Sequence, residues 1–113
     1  MIENLEKLLD TPRDGPLLRF SLGHEYMKAN DAGKAVVYFR AAVGLDPAYS
    51  AAWKQLGHAL LANKEPKEAV VAWQQGVQVA EKRGDKQAAK EMTVFLKRTL
   101  KQLDPGEAAS ADK

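Results

Sequence analysis

Apolar positions along this chain recur at helical spacing and, on a longer scale, at a fixed period of 34 residues. Leu22, Gly23, His24, Ala35, Val36, Val37 and Val43 return one period later as Leu56, Gly57, His58, Ala69, Val70, Val71 and Val77. Where paired residues differ they keep a role: Tyr26 meets Leu60, Phe39 meets Trp73, and Ala42 meets Gly76. Steps of three and four between apolar residues predict helices, and self-similarity at this length marks stacked pairs of them. Gly23 and Gly57 fall inside helical runs, where glycine costs about 1 kcal/mol relative to alanine. Their missing side chains therefore predict close helix approach. Ala35, Ala69, Ala42 and Gly76 give the following helix a small face, and Phe39 and Trp73 are expected to fill the wider gaps. A two-helix unit cannot bury such a face alone, so neighbouring units must stack.

The punctuation sets the boundaries. Ile2, Leu5, Leu8 and Leu9 predict a short helix over 2–9, with Leu5 one period before Phe39. Thr11-Pro12-Arg13-Asp14-Gly15-Pro16 breaks the chain, and Pro16 suits a first helical position. The first full unit spans 16–49, its first helix running to about Ala29, with Asn30 turning the chain and Asp31 capping a helix that ends near Leu45. Asp46-Pro47 is expected to open the second unit, 50–83, with a cap and a proline in the first turn. That helix should stop near Asn63, and Pro66 starts the next. Gly84-Asp85 reads as a stop and a cap. Over 85–103, Ala88, Ala89, Met92, Phe95, Leu96, Leu100 and Leu103 form one stripe, as expected of a helix covering the end of a stack. Asp104-Pro105-Gly106 ends this single domain of residues 1–103, and 104–113 is expected to be a mobile tail.

The two windows resemble tetratricopeptide repeats, whose pattern is W-x2-L-G-x2-Y, then A-x3-F, then P. The first reads Leu22-Gly23-x2-Tyr26, Ala35-x3-Phe39 and Pro47, with Arg19 where tryptophan is expected. The second supplies Trp53, Leu56-Gly57-x2-Leu60 and Ala69-x3-Trp73, with Glu81 in place of proline. The resemblance implies an all-α fold, a right-handed α-α superhelix of helix-turn-helix repeats. It also implies a protein-interaction module whose concave face is lined by the first helix of each repeat.

Composition narrows the function. The 113 residues suffice for one domain, and 45% hydrophobic with 28% charged residues is ordinary for a globular protein. A net charge of +2 is too small to argue for nucleic acid or an anionic membrane. There is no cysteine, which excludes disulfides and thiolate chemistry. No apolar run approaches the roughly 18 residues needed to cross a bilayer, and the acidic, amphipathic N-terminus is unlike a signal peptide, so a cytoplasmic protein is expected. There is no phosphate loop, no H-E-x-x-H and no catalytic constellation; no enzyme activity, cofactor or metal is expected.

If the resemblance holds, the concave groove takes Leu17, Phe20, His24, Met27 and Lys28 from the first repeat. Lys54, Gln55, His58 and Leu61 come from the second. Phe20 with Met27 forms an apolar strip, and Lys28 with Lys54 a basic rim, suited to an extended peptide or a helix. His24 and His58 are expected on one wall; the plain alternatives are ordinary groove or core residues and solvated lysines. Some tetratricopeptide domains clamp the C-terminal carboxylate of chaperones with lysines and asparagines. Here histidine fills the asparagine sites and a third full repeat is missing, so that function is not expected. The expected function is a module binding a peptide or protein partner, as a monomer or weak homo-oligomer. The alternative is an assembly subunit that self-associates through the ends of its stack, since two repeats fall short of the three usually needed for stability.

Overall fold

The computed structural model describes residues 1–103, which form six α-helices. They are α1 (Ile2–Glu6), α2 (Pro16–Lys28), α3 (Ala32–Leu45), α4 (Ser50–Ala62), α5 (Pro66–Lys82) and α6 (Lys86–Gln102). α2 pairs with α3, α4 with α5, and α6 closes on α5, giving a slab of 46 × 31 × 18 Å. Residues 104–113, where a tail was expected, lie outside the described residues.

The turns repeat as faithfully as the helices. After α2, α4 and α5 the backbone N–H of Asp31, Glu65 and Asp85 returns to the carbonyl of Tyr26, Leu60 and Ala80, at 2.9, 2.8 and 2.8 Å. This is the Schellman closure, which needs a left-handed residue just past the helix. Asn30 (φ 60°), Lys64 (φ 62°) and Gly84 (φ 76°) occupy that place. Asp31 and Asp85 then cap the next helices, accepting from the N–H of Lys34 and Ala88, each at 3.1 Å.

Two boundaries differ from the sequence reading. α1 stops at Glu6 instead of reaching Leu9, because Leu8 and Leu9 donate to the carbonyls three residues back and tighten the chain into turns. α4 begins at Ser50, so Asp46 and Pro47 lie in the preceding turn, where the Asp46 carboxylate accepts from the Ala48 N–H at 3.1 Å. Arg19 and Trp53, which hold matching positions, both reach back to the loop before their own helix. Arg19 makes a two-pronged ion pair with Asp14 (3.0 and 2.7 Å), and Trp53 donates its indole N–H to the Pro47 carbonyl at 2.8 Å. The guanidinium holds the Asp14 carboxyl well below the usual carboxylate range.

The core is one continuous seam. Leu22, Ala35, Phe39, Ala42, Leu56, Ala59, Leu60, Ala69, Trp73 and Met92 are all sealed from solvent. Gly23 and Gly57 lie beneath Phe39 and Trp73 respectively; a Cβ on Gly23 would stand 2.6 Å from the Phe39 ring. α1 is held by a polar clasp. Glu6 accepts from the hydroxyls of both Tyr26 (2.8 Å) and Tyr38 (3.3 Å), whose rings stack 5.5 Å apart. Bonding to Glu6 first, and desolvation second, raise the Tyr26 pKa to about 12. The fold thus favours the neutral phenol; this contribution is complete below the ordinary tyrosine value near 10 and is lost as pH rises through 10 towards 12. Glu6→Gln should therefore shift the ionisation of Tyr26 and, less strongly, of Tyr38, followed by ultraviolet absorbance, towards the ordinary value while leaving the helices beyond α1 intact. An unchanged titration would show that Glu6 does not hold the clasp.

Candidate binding face

The two sides of the slab are unequal. α2 reaches α4 and α4 reaches α6 directly, whereas α3 and α5 make no comparable contact. Helices that crowd on one side and spread on the other curve the stack towards the crowded side. The face carrying α2, α4 and α6 is therefore the inner one.

The nine residues singled out from the sequence all lie on α2 and α4, but their environments diverge. His24 and Lys28 are exposed, and Leu17 and Leu61 are exposed by 68% and 36%. Gln55 is half-buried. Phe20 is drawn inward, its ring 5.1 Å from that of Tyr49 and 5.7 Å from that of Phe39, and Met27 packs on the same core. Both lysines have acidic partners: Lys28 pairs with Glu25 at 3.4 Å within α2, and Lys54 with Glu91 of α6 at 3.3 Å.

The two histidines, equivalent by period, sit differently. His58 is half-buried between Trp73 and Phe95, both met edge-on, with ring centroids at 5.3 and 4.5 Å. Its pKa is lowered by burial first and by the neighbouring Lys54 second. The cause of the difference is α6, which lays Phe95 and Glu91 over α4, whereas His24 is left exposed on α2. Phe95 and Glu91 were not among the expected face residues. α6 starts 36 residues after α4, whereas α4 starts 34 after α2, because α5 has 17 residues against 14 in α3 and the turn that follows is one residue shorter; α6 is thereby displaced from the register of the first two repeats. The apolar stripe containing Phe95 was visible; its frame was not.

The His58 environment has a measurable consequence. A proton binds His58 more readily in the unfolded chain than in the fold, so acid favours unfolding. Stability should be undiminished above about 6.5, the unperturbed histidine value, and fall as pH drops below it towards the depressed folded value. Urea unfolding at neutral and mildly acid pH should show this loss in the wild type and a smaller one in His58→Gln. Equal losses in both would mean that other groups carry the effect.

The profile of the tetratricopeptide repeat family matches residues 26–91. The chain belongs to the tetratricopeptide repeat family. A tetratricopeptide repeat-containing protein of Pseudomonas aeruginosa is 50% identical over 98 residues, covering 87% of this chain and 93% of that one. Among solved structures, a protein of Bordetella parapertussis shares 40% identity with a TM-score of 0.77, covering 90% of this chain and 89% of its own. A tetratricopeptide repeat domain protein of Salinibacter ruber shares 25% with a TM-score of 0.74, covering 85% and 95%. The tetratricopeptide fold read from the sequence is thus shown, and such repeats are generally protein-interaction modules. No helix among the described residues is long and apolar enough to cross a membrane.

Proposed function

We propose that the protein binds a peptide or protein partner on the inner face, over the half formed by α2 and α4. One observation carries the reading: this face leaves Leu17, His24 and Leu61 exposed beside the half-buried Phe20 and Met27, while its α6 half is filled by Phe95 and the Lys54–Glu91 pair. Exposed apolar groups beside a few polar ones are what a peptide-binding groove requires. Apolar anchors should dominate affinity, because Lys28 and Lys54 are already engaged with carboxylates. His58, shielded by Phe95, is assigned to packing and His24 to the contact surface. A photo-crosslinking residue placed at position 24 should capture a discrete partner in cells, whereas one at Val37, which is 63% exposed on α3, should not. Leu17→Asp should abolish the capture. Equal labelling from both positions would place the recognition surface elsewhere.

A further inference from the structure

α6 carries a charge pattern unlike that of the rest of the described structure. Residues 1–80 hold nine basic and nine acidic side chains, whereas residues 81–103 hold seven and three. At about 100° per residue, Lys86, Lys90, Lys97, Arg98 and Lys101 fall on one arc of about 120°. That arc lies opposite the buried Met92 and Thr99, and all five cations are exposed. None of them has an ion-pair partner among the described residues. Of the three carboxylates, Glu91 is held by Lys54, Asp85 caps α6 through the Ala88 N–H, and Glu81 stands on α5. A face that served solubility alone would mix signs, as α2 and α5 do. This one works against its own helix. Lys86 with Lys90, and Lys97 with Lys101, set like charges four residues apart. Lys86 also stands in a first turn without an acidic residue, at the positive end of the helix dipole. Beside these cations runs an apolar groove of about 690 Å³, in which Val77 of α5 faces Ala89 and the half-exposed Val94 of α6.

We propose that the outer face of α6 binds an acidic amphipathic helix of a partner protein. The apolar stripe of that helix lies in the α5–α6 groove against Val77 and Val94, and its carboxylates meet the lysines, in the helix-in-groove mode. From Lys86 to Lys101 the row is about 22 Å long, the length of about four helical turns. Charge and shape together select this occupant. Nucleic acid would set phosphates against Glu81 on the groove rim, and α6 exposes no aromatic ring on which bases could stack. An anionic membrane requires a broad apolar face, and Val94 is the one large apolar side chain that α6 exposes. Residues 104–113 hold Asp104, Glu107 and Asp112 but, apart from Pro105, no apolar side chain larger than alanine. They match the charge and cannot fill the groove. The face is distinct from the inner one, where Phe95 and Glu91 lie over α4.

The test titrates a synthetic peptide of about 18 residues, a leucine stripe flanked by glutamates, into the nitrogen-15-labelled full chain. Amide shifts should concentrate on the second half of α5 and on α6. Affinity should fall at least about tenfold for a scrambled peptide of the same composition. Val94→Asp, and Lys90→Glu combined with Lys97→Glu, should each weaken binding as much, with circular dichroism confirming that the variants fold. Leu17→Asp, on the inner face, should bind the peptide like wild type, as should the chain without residues 104–113. Absence of binding, or shifts confined to α2 and α4, overturns the proposal. Equal binding of the scrambled peptide does so too, since charge alone would then attract it. So does tighter binding of duplex DNA or of phosphatidylserine vesicles to α6, or peptide binding that appears only once residues 104–113 are removed.

Discussion

Trp73→Ala should lower the unfolding free energy by about 3–5 kcal/mol, a large part of the 5–15 kcal/mol that domains typically possess. The indole is 1% exposed and joins three helices. From α5 it meets His58 of α4 at 5.3 Å and Phe95 of α6 at 5.7 Å, and its N–H donates to the Lys54 carbonyl at 3.1 Å. Truncation removes the filling between consecutive repeats, and rigid helices cannot collapse fully into the gap. Trp53→Ala is the control. That side chain is half-buried, and its N–H bond to Pro47 stays within one turn and helix start, so its loss should be clearly smaller. Urea unfolding of both variants measures the difference. Equal midpoints would mean that Trp73 does not join the repeats.

That joint is also what the sequence displays best. A glycine two turns into a helix, an aromatic 16 positions on (Gly23 to Phe39, Gly57 to Trp73) and a small residue facing the next helix recur because each packing solution is local to one repeat. The turns are legible for the same reason: Asn30 and Lys64 occupy one backbone conformation one period apart. What escapes the sequence depends on residues distant along the chain. Phe20 looks like an exposed groove anchor until Tyr49 and Phe39 close on it. His58 looks like the twin of His24 until α6 arrives out of register and covers it with Phe95. Glu6 looks like one more acidic residue of an amphipathic start until two tyrosines, from α2 and α3, converge on its carboxylate. Periodicity defines a residue's place within its own repeat, but not what the neighbouring element lays over it.

Gly57→Ala should be destabilising in the wild type and stabilising once Trp73 is gone. In the interior of an isolated helix the change to alanine is favourable by about 1 kcal/mol. Here the added Cβ would fall on the indole Nε1 and its adjoining ring carbons. Either the ring moves or α4 and α5 part. Displacement of the ring breaks its bond to the Lys54 carbonyl and leaves a buried N–H unsatisfied, a penalty of about 1–3 kcal/mol. Overpacking adds about 1–3 kcal/mol. The sum exceeds the helical gain, so Gly57→Ala should cost roughly 1–5 kcal/mol net. In Trp73→Ala the obstruction is absent, only the helical preference remains, and the same substitution should recover up to about 1 kcal/mol. A double-mutant cycle by urea unfolding reads this as a change of sign, which no general loss of fold can imitate. If Gly57→Ala destabilises both backgrounds equally, the glycine serves something other than the tryptophan above it.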